Sequence, residues 1–180
     1  RALRGDLDHA DLDPLTALLN RRAFRRQTLA MIARRSREDG YLLVALIDLD
    51  DFKSLNDTYG HIEGDRALVS VADALRATAT PSAVIGRSGG EEFVIVDVTS
   101  SDDAVHRYRE VCAAIAGLQA RVTASVGTAI APLDVLSRYS HDDLVDHLIA
   151  AADTAMYRAK RNGGNQCHHH GLWVGPESAS

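Results

Sequence analysis

Apolar positions along the chain switch between two periods, and the switches mark out its elements. Leu42-Leu43-Val44-Ala45-Leu46-Ile47 is an unbroken apolar run ending on Asp48. A run of this length predicts a strand buried on both faces. Ala83-Val84-Ile85 and Phe93-Val94-Ile95-Val96 flank the pair Gly89-Gly90. They predict hairpin strands, the glycines supplying the positive φ of a tight turn. Arg121 to Ala131 alternates enough for a further strand. Elsewhere the period is helical. Asn20 is an N-cap candidate for a helix to about Arg37 whose Phe24, Thr28, Met31 and Ile32 face inward. A short helical turn is expected near Phe52 to Asn56. From Ile62, a helix buries Leu68, Val71, Ala72 and Leu75 until Thr80-Pro81 breaks it. Val105, Tyr108, Cys112 and Ile115 predict a helix stopped by Gly117. Leu144, Val145, Leu148, Ala152, Ala155, Met156 and Ala159 form the apolar face of a last one, ending before Gly163-Gly164. Strands alternating with helices around one hairpin indicate an α/β layered domain with a central mixed sheet.

Composition narrows this further. A chain of 180 residues with 46% apolar content predicts one domain with a real core plus short extensions, and excludes a disordered chain. No apolar stretch approaches the roughly 20 residues of a membrane helix. With no signal-peptide pattern, a cytoplasmic protein without membrane contact is expected. The net charge of −5 argues against a general nucleic-acid binder. Arg21, Arg22, Arg25, Arg26, Arg34, Arg35 and Arg37 are read as a solvated helix face in preference to a polyanion patch. Cys112 and Cys167 match neither a disulfide framework nor a zinc spacing. Residues 1–12 are read as a linker or the end of a signalling helix from an upstream input module, 13–166 as the domain, and 167–180 as a tail. Cys167-His168-His169-His170 lacks a second ligand cluster, so a polar tail is preferred to a metal site. Gly171-Leu172-Trp173-Val174 is left open, as a short strand or a lead into a following domain.

The chemistry lies where apolar strands end in acids. Asp48-Leu49-Asp50 closes the first strand, and Glu91-Glu92 follows the two glycines. If these strands are neighbours, Asp48 and Glu91 meet at one sheet edge. Clustered carboxylates repel unless they share a proton or a cation, and hard oxygen ligands suit Mg²⁺. Asp50 is expected to face away from Asp48 and to serve structurally.

From Asp13 to about Asn165 the chain resembles the diguanylate cyclase (GGDEF) family in its Glu-Glu form. The resemblance rests on Asp13-Pro14-Leu15-Thr16 with Asn20-Arg21-Arg22, Asp48-Leu49-Asp50-Asp51-Phe52-Lys53, Asn56-Asp57, Gly60-His61, Gly64-Asp65, Arg87-Ser88-Gly89-Gly90-Glu91-Glu92-Phe93 and Ser125-Val126-Gly127. It implies a central sheet of about five strands, like the palm of polymerases and nucleotide cyclases. It further implies condensation of two GTP into cyclic di-GMP with release of two pyrophosphates. Each subunit would hold one GTP, which makes a two-fold homodimer a requirement.

By the same resemblance, Asp48, the Leu49 carbonyl and Glu91 are ligands for Mg²⁺, with Mn²⁺ as a substitute. Glu92 serves a second ion or activates the attacking hydroxyl. Asp51 and Phe52 present backbone N–H groups to the phosphates, Lys53 and Lys160 reach them, and Gly89 and Gly90 let them approach closely. Asn56 and Asp65 are the residue types that match guanine's edge. His61 lines that pocket or shapes the loop. Three departures stand out. Gly164 replaces a usual arginine, with Arg161 the adjacent candidate to substitute. Ala17 replaces a usual glycine. Thr80, Pro81, Ser82 and Ala83 occupy the place where many members carry a product-binding Arg-x-x-Asp. Of these, Gly164 leaves open a GTP-binding regulatory module without activity and, more remotely, an interaction domain.

Overall fold

The computed structural model describes residues 8–101 and 105–175. Its core is a five-stranded sheet of order β2-β3-β1-β4-β5. The strands are β1 (Tyr41–Leu49), β2 (Val84–Arg87), β3 (Glu92–Thr99), β4 (Ala124–Pro132) and β5 (Gln166–Leu172). β1 runs antiparallel to both β3 and β4, whereas β5 lies parallel to β4. The sheet is therefore mixed, as its pattern predicts.

The unbroken apolar run of β1 follows from its central place. Leu43, Ala45, Ile47 and Leu49 point to one side, under α2 (Phe52–Tyr59), α3 (His61–Thr78) and α4 (Val105–Ala116). Leu42, Val44 and Leu46 point to the other, under α1 (Arg21–Arg35) and α5 (His141–Arg161). Neither side has room for a polar group, because every residue from Leu42 to Ile47 is at most 2% exposed. The helix ends follow local chemistry. Asn20 caps α1 by accepting from the Ala23 N–H, and Ser140 caps α5 by accepting from Asp143. Asp142 and Asp143 in the first turn of α5, and Arg158, Lys160 and Arg161 in its last, suit the helix dipole. α2 runs one turn past the predicted Asn56, to Tyr59, and stops where Gly60 takes φ +88°. Among the described residues no helix is long and apolar enough to cross a membrane.

Two expectations change here. Neither Gly89 nor Gly90 has positive φ. The connection 88–91 is a wider loop, closed by the Ser88 N–H donating to the Glu92 carbonyl at 2.9 Å. Residues 167–172, read as part of a polar tail, belong to β5. Gln166, Cys167, His168 and His169 pair in register with Ser125, Val126, Gly127 and Thr128. The imidazole Nδ1 of His169 bonds Thr128 Oγ1 at 2.9 Å. Trp173 then turns inward to 9% exposure, between the rings of Tyr139 and His147. Residues 176–180 lie outside the described residues, as do 1–7 of the segment read as a linker. From Asp8 the chain is attached: Asp11 accepts from Arg26 at 2.9 Å, and the Asn20 N–H donates to the Asp11 carbonyl at 2.9 Å.

Candidate active site

The end of β1, the hairpin and the start of β4 converge at one edge of the sheet. Register places Asp48 opposite Glu92 on one flank and Ser125 on the other. The Leu49 N–H donates to the Glu91 carbonyl at 3.1 Å. The expected meeting of the two acidic segments holds, with Glu92 directly across from Asp48 and Glu91 level with Leu49. Glu91 is exposed, while Glu92 is half-buried and accepts from Ser88 Oγ at 3.1 Å. Burial first, then the Asp48 and Asp153 carboxylates, push the Glu92 carboxyl above its usual range, against the Ser88 hydrogen bond and Arg21.

Lys160, near the end of α5, brings the counter-charge. Its Nζ lies 2.9 Å from Asp48 Oδ1 and 3.6 Å from Asp50 Oδ1. Burial works against the ammonium, but the Asp48 hydrogen bond and the two carboxylates outweigh it and raise its pKa. Asp50 therefore does not face away from Asp48. Residues two apart on a strand share a face, and the chain turns only afterwards, where Asp51 takes φ +50°. The structural role expected of Asp50 is clear in its partners. It accepts from Thr123 Oγ1 at 2.7 Å, Ser125 Oγ at 2.7 Å and the Asn165 N–H at 2.8 Å. Gly164 is tied to the same cluster. It has φ +73°, and a Cβ there would lie 2.8 Å from the Asp50 carboxylate. Arg161, the adjacent candidate, has its guanidinium 5.9 Å over the Tyr157 ring.

α2 and α3 carry the remaining sequence-predicted residues. Asp51 precedes α2, Phe52 is buried beneath its first turn, and Lys53 is exposed beside it. Asn56 sits against α3 at Gly64, where a Cβ would fall 1.8 Å from Asn56 Oδ1. That contact requires glycine and sets Asn56 beside the turn carrying Asp65. Asp65 and His61 are exposed, on the first turns of α3. At the hairpin, a Cβ on Gly90 would meet nothing within 4 Å, and one on Gly89 only Glu92 Cβ at 3.7 Å.

Two residues quoted in the motifs but given no role prove central to the hairpin. Arg87 pairs with Asp13 at 3.0 Å, and donates to the Gly89 carbonyl at 3.1 Å and the Gly90 carbonyl at 2.6 Å. Asp13 also accepts from Thr16 N–H at 2.9 Å and Thr16 Oγ1 at 2.7 Å. Burial alone would raise the Asp13 pKa; Thr16 and Arg87 outweigh it and hold the carboxyl below its usual range. A lone arginine beside a glycine pair was the available signal. Its partner, 74 residues away, was not readable. At the other end of the hairpin, Thr80 Oγ1 and Ser82 Oγ both donate to Asp97, which is 3% exposed.

Among the described residues, no three His, Cys, Asp or Glu side chains converge to hold a metal by themselves. Mg²⁺ seldom needs such a cage, since one or two carboxylates plus substrate phosphates are its usual protein-bound setting. Asp48 and Asp50 already accept a cationic ammonium. The donor set therefore fits a hard cation.

Residues 10–166 match the family described as diguanylate cyclase, GGDEF domain. Diguanylate cyclase DgcP of Pseudomonas aeruginosa is 36% identical over 159 residues, which is 84% of this chain and 22% of that protein. Probable diguanylate cyclase DgcC of Escherichia coli is 35% identical over 162 residues, 86% of this chain and 42% of the relative. The chain thus spans less than half the length of these relatives. Among solved structures, the GGDEF domain of DgcB from Caulobacter crescentus, in complex with c-di-GMP, superimposes with a TM-score of 0.77 at 26% identity, covering 91% of this chain and 98% of that one. The active GGEEF domain of a Vibrio cholerae diguanylate cyclase gives 0.71 at 30% identity, covering 85% and 97%. On sequence and fold together, the chain belongs to the diguanylate cyclase GGDEF domain family.

Proposed function

We propose that this domain condenses two GTP into cyclic di-GMP as a two-fold dimer, using Mg²⁺ or Mn²⁺. The observation carrying this reading is the layout around α2. Carboxylates, Lys160 and the Asp51–Phe52 backbone gather at its start, while Asn56 and Asp65 stand toward its far end. Eight helical residues span about 12 Å, a length suited to a nucleotide with its phosphates at one end and its base at the other.

In this reading, Asp48, the Leu49 carbonyl and Glu91 would hold the cation, which when bound would neutralise phosphate charge and lower the attacking hydroxyl's pKa. Lys53 and Lys160 take the triphosphate, and the open faces of Gly89 and Gly90 admit it to the backbone. Asn56 and Asp65 read guanine, with His61 at the pocket's rim. The 3′-oxygen held in one subunit attacks the α-phosphorus held in the other. A new O–P bond forms as the bond to the β-phosphate breaks, pyrophosphate leaves, and Glu92 receives the hydroxyl proton. A second such transfer closes the ring. We place the domain in the cytoplasm, where GTP is plentiful, as the output of an upstream input module acting through dimer geometry.

The test is incubation of purified protein with GTP and Mg²⁺, with products resolved by chromatography. Cyclic di-GMP is expected, and Asp48→Asn or Glu91→Gln should lower its formation about 100-fold or more with the fold intact. Substantial turnover in either variant at saturating Mg²⁺ would overturn the ligand assignment. GTP binding without product would favour a regulatory module, the reading that Gly164 keeps alive. ATP should be a poor substrate, by roughly 10⁴ where buried hydrogen bonds read the base.

A further inference from the structure

Both ends of α2 are held by one short stretch of chain. At the N-terminal end, Asp50 donates its N–H to the Thr123 carbonyl at 2.8 Å and accepts from Thr123 Oγ1 at 2.7 Å. At the C-terminal end, Arg121 Nη1 donates to the Tyr59 hydroxyl at 2.7 Å, with the guanidinium 4.9 Å over the Tyr59 ring. The corner it reaches is otherwise open: Tyr59 is 47% exposed and Ile62 72%. Arg121 also takes φ +56°, which non-glycine residues rarely adopt and which persists only where surrounding contacts impose it.

We propose that Arg121 is a positioning residue for GTP, and that 121–123 braces α2 at a fixed distance from the acidic sheet edge. The substrate in this proposal rests on the cyclase reading. α2 presents phosphate-facing groups at its start and Asn56 near its end, and its last residue, Tyr59, leads through Gly60 into the turn carrying Asp65. Thr123 fixes the first end to Asp50, and Arg121 fixes the second. Loosening the second end lets the base-reading groups drift while the catalytic carboxylates stay in place. Affinity and base discrimination then suffer, and the chemical step does not.

Three variants test this. Arg121→Gly removes the side chain and accepts the positive φ, Arg121→Lys retains a cation near the ring, and Tyr59→Phe loses only the hydroxyl at an exposed site. In Arg121→Gly, KM for GTP should rise about fivefold or more while kcat stays within about twofold. The preference for GTP over inosine triphosphate, which lacks the exocyclic amine, should fall. Amide hydrogen exchange across 53–60 should quicken. Tyr59→Phe should shift all three in the same direction by less, and Arg121→Lys should recover part of the loss. Wild-type KM, discrimination and exchange in Arg121→Gly would overturn the proposal, as would a fall in kcat alone. If the unaltered protein makes no product from GTP, the cyclase reading fails, and the exchange measurement still decides whether the brace exists.

Discussion

Asp13 carries two jobs on one carboxylate: it shapes its own loop through Thr16 and anchors Arg87, which in turn grips the glycine carbonyls. Both side chains are shielded, 16% exposed for Arg87 and 17% for Asp13. Removing one charge strands the other, so Asp13→Asn should destabilise by about 1–3 kcal/mol at pH 7. The pH dependence follows from the lowered carboxyl pKa. A depressed acid contributes stability above its unfolded pKa and loses it as pH falls through the folded one. The gap between variant and parent should be full at neutral pH and close in acid, below the usual carboxylate range. Thermal melts at stepped pH measure it; an equal gap at all pH values would remove the charge from the explanation. Individual site residues were legible where chemistry forced them. Asp48 lies at the end of apolar β1 and Glu91 just before β3, and carboxylates so placed are what pointed to a cation site there. The direction of Asp50 was misjudged, since residues two apart on a strand share a face. Its partners Thr123, Ser125 and Asn165 were not legible because they come from distant segments that no local pattern names.

At the scale of elements, periodicity served the helices and central strands and failed at β5. Three successive histidines read as polar, yet a strand at the sheet margin can expose one face and still give its backbone to β4. The turn before β2 shows the opposite case, where a familiar element carries altered chemistry. Thr80 and Ser82 spend their hydroxyls on buried Asp97, and Ala83 offers no acceptor side chain. Such a turn is closed on itself, without the forked cation that grips phosphate or stacks on guanine. Product feedback through it should therefore be absent. Calorimetric titration with cyclic di-GMP, with the active site blocked by a non-hydrolysable GTP analogue, should show no tight binding at Thr80 to Ala83. An intercalated product dimer seated there would refute this.

For the whole molecule, the proposed reaction needs two copies facing one another, because in that reading each domain holds one GTP. Specific activity should fall in proportion to protein concentration once the sample is diluted well below the dimer dissociation constant, and level off above it. Activity independent of dilution, in a sample that sediments as monomer, would rule the dimer out.

The bond from Asn165 to Asp50 joins positions 115 residues apart. At about 5–20 residues per second, a ribosome takes roughly 6 to 23 s to travel that distance. For most of that interval the nascent chain has its acidic strand but neither Lys160 nor β5, so Asp48 and Asp50 stand without the ammonium that pairs them. The acidic edge is thus among the last parts of the domain to become whole. A ribosome halted before β5 would hold a sheet whose acidic corner is still open.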